Sequence, residues 1–432
     1  TEGLTLKAVG DVVIEGNFRQ NNGIAEGASV AEWLQGVAAY AGGEYAAITI
    51  AADDVTLEGL AITNFNLGIS LSASIDDLAL TDVDISSGIT GIRKSTAATI
   101  DGLTITGGSF SDMQHGMTVY KANSADGRLS NFTVDGASFS NLNEKGIYLE
   151  TGEHVLLTNL TMTEVGEFGR TMSFGGLGTW GAGIDVNLKY SNGVDYSDIT
   201  ISDSSFTNVG TSDQDGASTP HLGGAAIAVK TRDDASSYNT NPATFDGEVS
   251  IDGVTIDGTS VGVRIGEPGK TNAGPAVDIT NTTIDNAVTA EVDNVSASTL
   301  TVNLGDGGET WAAAATTTGD IDFAGGAGDD HMTGGGGADS FAGGGGADTV
   351  DGGAGLDTVT FAGNSGDYTI TWDGTTATVS DGTDTVTITN AGRLDFADKD
   401  VLLVSASGEF ATVQAGVDAA VTGDEVLIAA GV

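Results

Sequence analysis

Between Gly325 and Thr360 a nine-residue unit repeats four times without a slip, and few folds can accept such a sequence. The units are Gly325-Gly-Ala-Gly-Asp-Asp330-His-Met-Thr, Gly334-Gly-Gly-Gly-Ala-Asp339-Ser-Phe-Ala, Gly343-Gly-Gly-Gly-Ala-Asp348-Thr-Val-Asp and Gly352-Gly-Ala-Gly-Leu-Asp357-Thr-Val-Thr. Glycine holds positions one, two and four, aspartate position six, and an apolar residue position eight. The glycines permit tight turns, and the aspartate sets one carboxylate at a fixed point in each. The eighth residues, Met332, Phe341, Val350 and Val359, are expected to point inward. A unit this short cannot bury its apolar residue alone and must stack on its neighbours. A flexible glycine linker would have no reason to keep aspartate and apolar residue in register.

The pattern resembles the RTX nonapeptide family, a calcium-binding β-roll. That resemblance implies that Asp330, Asp339, Asp348 and Asp357, with carbonyls of neighbouring glycines such as Gly328, Gly337 and Gly346, ligate Ca2+, a hard cation that prefers oxygen. It further implies type I secretion, folding triggered by calcium outside the cell, and an extracellular place at a bacterial surface. After the roll, Asp367-Tyr-Thr-Ile-Thr-Trp through Val379, Asp384-Thr-Val-Thr-Ile-Thr-Asn and Arg393-Leu-Asp-Phe-Ala-Asp read as short antiparallel strands. They resemble the cap that follows such rolls, which closes the open end against edge pairing.

A looser repeat, spaced by roughly 21 to 45 residues, fills the part before the roll. Alternating runs such as Val55-Thr-Leu-Glu-Gly-Leu-Ala-Ile, Thr99-Ile-Asp-Gly-Leu-Thr-Ile and Val249-Ser-Ile-Asp-Gly-Val-Thr-Ile open each unit. Short segments such as Gly68-Ile-Ser-Leu, Gly146-Ile-Tyr-Leu, Gly183-Ile-Asp-Val and Gly262-Val-Arg-Ile close it. Period-two alternation gives each strand one buried face. The hairpin signals of a β-sandwich are missing, so the units stack as a parallel β-helix. Extra residues leave it as loops, the longest after Glu164, Gly210 and Arg232. Ser29-Val-Ala-Glu32 reads as a capping box that opens a helix through about Tyr40. Asn131, Asn159 and Asn281 are expected in polar ladders at coil corners.

The balance of 60 Asp and Glu against 15 Lys and Arg gives a net charge of −45. Nucleic acid is thereby excluded as a partner, because phosphate demands a basic surface. Such self-repulsion favours bound cations. With no cysteine there is neither a disulfide scaffold nor a thiolate metal site. No apolar run is long enough to span a membrane as a helix.

Near the end, the amphipathic stretch Phe410-Ala-Thr-Val-Gln-Ala-Gly-Val-Asp-Ala-Ala-Val421 is followed by the strand Glu425-Val-Leu-Ile. This resembles the entrance of pectin-lyase-like right-handed β-helices, which continues naturally into Thr1-Glu-Gly-Leu-Thr-Leu-Lys. The chain then reads as one period of a tandem array, or as a subunit whose tail completes the first coil of the next copy, head to tail.

Parallel β-helices of this kind include pectate lyases, polygalacturonases and alginate epimerases, and the epimerases also carry RTX repeats. Their Asp-Pro-His motif is absent, since Thr219-Pro-His221 lacks the aspartate. Arg93, Lys94, Lys121, Lys189, Lys230, Arg232 and Arg264 nevertheless fall within or just after closing strands, with Glu150 and Asp185 in the same stripe. Such a ladder can hold an acidic polysaccharide, with Lys121, His115, Tyr148 and His154 as candidate acids or bases. The competing reading is that these cations pair with stacked carboxylates.

The resulting expectation is an all-β chain. A right-handed parallel β-helix covers residues 1–304 and a connector 305–324. The calcium β-roll covers 325–360, a small antiparallel β cap 361–405, and 406–432 open a following β-helix. The function expected is non-enzymatic: a calcium-dependent adhesive or structural module that assembles into a surface layer or filament. The alternative is a polyuronate lyase or C5-epimerase.

Overall fold

A computed structural model describes residues 3–16, 46–123, 127–166, 181–211, 224–233, 238–267, 274–314 and 316–432. The expected helix at 29–40, His221 and much of the three long loops lie outside the described residues. The chain is nearly all strand and divides into two compact units, Thr1–Pro275 with Thr283–Thr289 and Ala276–Thr282 with Ala290–Val432.

The first unit is a parallel β-helix with three faces. On the first face Ile75–Thr81, Ile100–Thr106, Leu129–Asp135, Glu153–Thr158, Tyr196–Ser202 and Phe245–Asp252 pair in parallel, each with the next. Alternation places Leu80, Ile105, Val134, Leu157, Ile201 and Ile251 in one buried inward column. The second face stacks Ile85, Phe110, Phe139, Met162, Phe206 and Ile256, with the rings of Phe110 and Phe139 parallel at 4.8 Å. The third stacks Ile69, Ile92, Met117, Ile147, Ile184, Ile227 and Val263. Each rung buries its apolar residues only because the next rung covers them, as the loose repeat requires.

The corners between faces need left-handed backbone, which Asn, Asp and Gly adopt most readily. One corner column runs Asp77, Gly102, Asn131, His154 and Asp198, with φ of 58, 77, 52, 51 and 51°. Asn159 stands in a second such column at φ 54°. Asn131 Nδ2 donates to Asp101 Oδ1 at 2.6 Å and Asn159 Nδ2 to Asp135 Oδ1 at 2.7 Å, so each corner amide ties one rung to the previous one.

In the second unit, alternate nonapeptides enter opposite sheets, so two repeats make one 18-residue turn. One sheet stacks Leu300–Asn303, Ile321–Gly326, Ser340–Gly344, Thr358–Phe361 and Arg393–Phe396 in parallel. The other stacks Thr310–Ala312, His331–Thr333, Ala347–Asp351 and Thr385–Thr389. Met332, Phe341, Val350 and Val359 are all fully buried, in columns with Trp311, Phe323, Ile388 and Leu394.

The segment after the repeats differs in part from the expected cap. Thr369–Trp372 and Thr376–Ser380 form an antiparallel hairpin, and Thr376–Ser380 also pairs antiparallel with Thr385–Thr389. Yet Thr385–Thr389 and Arg393–Phe396 also extend the roll's own two sheets by a further parallel rung. Helix Val413–Ala419, capped by the Thr412 side chain, packs with Phe410 against Leu402 and Val404. Strand Glu425–Ile428 pairs in parallel with Asp400–Val404 of the same chain.

Candidate metal centre

The sixth-position aspartates form two carboxylate ladders, one per edge of the roll. On one, the backbone N–H of Glu309 donates to Asp330 Oδ1 at 3.0 Å, and that of Asp330 to Asp348 Oδ1 at 3.0 Å. On the other, Ile321 N–H donates to Asp339 Oδ1 and Asp339 N–H to Asp357 Oδ1, both at 2.8 Å. Each carboxylate thus clamps the turn before it. The second oxygens of Asp330 and Asp339 accept from the second-position glycines Gly326 (3.1 Å) and Gly335 (2.8 Å). Asp348 Oδ2 and Asp357 Oδ2 are buried without a partner.

The glycines are dictated by closeness. A methyl group on Gly328, Gly337 or Gly346 would run into the carbonyl oxygens of Gly307, Gly319 or Gly328 respectively. Among the fourth-position glycines, Gly346 therefore stacks directly over Gly328 and Gly355 over Gly337. The Gly346 carbonyl already accepts Thr385 N–H at 2.9 Å, which leaves it one lone pair.

All four aspartates are buried, Asp357 completely. Burial pushes the carboxyl of Asp339 up to about 6, with Asp320 and Asp322 adding to it. Burial and the neighbouring Glu409 push Asp357 up to about 8. Burial, then Asp330 and its neighbours, raise Asp348. Among the described residues no cluster of three or more His, Cys, Asp or Glu side chains has metal-ligand geometry. The roll instead offers stacked carbonyls with single carboxylates, and orphaned buried carboxylate oxygens fit a hard oxygen-seeking cation.

Residues 324–359 match the RTX calcium-binding nonapeptide repeat, in four copies. RTX repeats bind calcium and are typical of secreted proteins. No curated protein matches the chain. No helix among the described residues is long and apolar enough to cross a membrane.

The pKa directions give a pH dependence for the RTX roll. A folded-state pKa raised above the ordinary 3.8 contributes stability that is complete below that value. It is lost as pH rises through about 6 for Asp339 and about 8 for Asp357. In chelator, the roll is therefore expected to melt several degrees higher at about pH 5 than at about pH 9. With calcium the difference should shrink or invert, since protons then compete with the ion. Equal melting points in chelator at both pH values would refute this.

The first unit holds a second polar cluster, on its third face. Asp185, fully buried, pairs with Lys145 and lies 3.7 Å from Lys230. Burial alone would raise its carboxyl, but Lys145 and Lys230 outweigh that and hold it below the ordinary value. Burial drives Lys230 down to about 8 against the pull of Asp185. Glu150 pairs with Lys189, accepts from the Tyr148 hydroxyl at 2.9 Å and accepts the backbone N–H of Lys121 at 2.7 Å. Asn187 Nδ2 donates to the Tyr148 hydroxyl at 2.7 Å. Burial and the carboxylates of Glu150 and Asp185 raise Tyr148 well above its usual value. Arg232 Nη1 reaches Glu267 at 3.3 Å and stacks over the Tyr238 ring at 4.6 Å.

Five of the expected stripe residues thus converge near Tyr148, namely Glu150, Asp185, Lys189, Lys230 and Arg232, and the backbone N–H of Lys121 reaches Glu150. Arg264 is buried on the same outward row, two rungs beyond Asp185. His115 is in register with Lys145, and its Nε2 meets Glu144 Oε2 at 3.0 Å. Lys94 stands apart. It occupies the inward column between Leu71 and Val119, and its ammonium donates to the carbonyls of Ser95, Tyr120 and Gly127. His154 is a corner residue on the first face, exposed and 2.8 Å from Asp198. Sequence reasoning missed Lys145, whose position one residue before Gly146 was the available signal.

Proposed function

We propose that this protein is a calcium-set structural module of an extracellular assembly, joined end to end with copies of itself. Asp330, Asp339, Asp348 and Asp357 bind calcium with carbonyls of Gly328, Gly337 and Gly346. These ligands exist as an array only in the folded roll, so the ion drives folding where calcium is plentiful, outside the cell.

The observation that carries the assembly is a pair of unfinished strand edges. Leu4–Glu15 pairs in parallel with Val55–Thr63 and, among the described residues, with no other strand. Among the described residues its apolar side chains are covered from one side only, with Leu4 64% and Val13 58% exposed. Glu425–Ile428 likewise pairs only with Asp400–Val404 among the described residues, and Ile428 is 51% exposed. Edges of this kind template further parallel strands, and a head-to-tail joint between unlike edges propagates without closing. Light scattering in calcium is expected to show mass rising with concentration, and Val13→Lys to hold the protein as a monomer while calcium binding persists. A wild-type chain that stays monomeric at high concentration in calcium would sink the proposal.

A second reading is favoured by the convergence of Lys145, Lys189, Lys230 and Arg232 around Tyr148: a site for an acidic polysaccharide, with Tyr148 as acid or base. His154 falls outside such a site.

A further inference from the structure

The repeat motif ends at Thr360, but the ladder of carboxylates does not. Asp357 N–H should meet the carboxylate of a next-turn aspartate, as Asp339 N–H meets Asp357 Oδ1. The register places Gly392 there, with no side chain to offer. Glu409 takes the place instead: its Oε1 accepts Asp357 N–H at 3.1 Å. Its Oε2 is buried without a partner and lies against Gly392, where a methyl group would displace it. Facing it, Asp357 is fully buried with Oδ2 unpartnered, and that oxygen lies beside Gly352, as does the Asn390 carbonyl. Two orphaned carboxylate oxygens therefore share one end of the roll, and among the described residues no lysine or arginine is hydrogen-bonded to either. A cavity of about 140 Å³ lined by Trp372, Asn390, Ser407 and Glu409 adjoins the Glu409 side of this end.

We infer that Glu409 is a calcium ligand, completing with Asp357 and the Asn390 carbonyl a site that the nonapeptide pattern does not contain. The inference rests on the reading of the roll aspartates as calcium ligands. Its consequence is mechanical. Glu409 immediately precedes Phe410, which packs with helix Val413–Ala419 onto Leu402 and Val404. An ion held by Asp357 and Glu409 fastens that helix, and the strand Glu425–Ile428 behind it, to the roll. Calcium would then control the edge proposed to meet the next copy, as well as the folding of the repeats.

The test uses the whole chain and calcium alone. Isothermal titration counts ions per chain, and hydrogen exchange follows the amides of 425–428. Glu409→Gln keeps an oxygen for Asp357 N–H but removes the charge. It is expected to bind one ion fewer than wild type. Protection of 425–428 should rise about tenfold in wild type when calcium reaches ten times its Kd, and stay flat in the variant. Glu409→Lys sets an ammonium where the ion would sit; it is expected to lose the same ion yet protect 425–428 with or without calcium. A full complement of ions at wild-type affinity in both variants, with Asp348→Asn losing an ion, overturns the inference and leaves the roll reading standing. No calcium bound by wild type overturns both.

Discussion

Removing calcium is expected to lower the melting point of the roll, residues 325–405, so that it unfolds on heating while the coils of the first unit keep their strands. Asp330, Asp339, Asp348 and Asp357 are buried among other carboxylates, and among the described residues no lysine or arginine pairs with them in either ladder. Each ion bound only by the folded state, at a hundred times its Kd, contributes about 2.7 kcal/mol. Two such ions supply about 5 kcal/mol, the whole stability of many domains. A melting point lower by roughly 10–20 °C in chelator is therefore expected for this unit. The first unit has a different foundation: its aliphatic and aromatic columns are complete without any ion. Calorimetry should show two transitions, of which only one moves with calcium. Superimposable traces in calcium and chelator would refute the calcium-set roll.

The parts of this fold that were legible in the sequence are those where geometry admits few residue types. Gly328, Gly337 and Gly346 must be glycine because a carbonyl lies where a side chain would begin. The apolar eighth positions repeat because each turn presents one residue to each buried column. The corner residues Asn131 and Asn159 were legible because left-handed backbone selects asparagine. Lys94 was legible by parity and misplaced by chemistry: Ile92 points in, Arg93 out, and Lys94 in again, whatever its charge. Burying it works because three carbonyls lie within reach of its long stem. The rung that resumes at Thr385 after an inserted hairpin was not legible, since an insertion carries no register. Glu409 was hidden for a similar reason. Its partner Asp357 lies 52 positions away, and nothing local to Glu409 marks it as part of a repeat.

Asp185→Ala is expected to cost the first unit about 3–5 kcal/mol, the range for removing one partner of a buried ion pair. The loss comes less from the missing attraction than from taking a fully buried counter-charge away from the buried Lys145 and Lys230, of which Lys230 keeps Glu267 at 3.6 Å. Replacing all three with apolar residues of similar volume, Lys145→Met, Asp185→Leu and Lys230→Met, removes the desolvation problem itself. That variant is expected to regain most of the loss, or to exceed wild type, in urea unfolding. A triple variant no more stable than Asp185→Ala would show that the cluster is held by more than these three charges. The same protein separates the two functional readings. If the cluster serves an acidic polysaccharide, wild type produces unsaturated product from alginate or pectate and the stable triple variant does not. If the cluster only holds rungs together, neither acts on the sugar and both still assemble in calcium. Stability retained while a sugar activity disappears is the outcome that would transfer the protein from the structural reading to the enzymatic one.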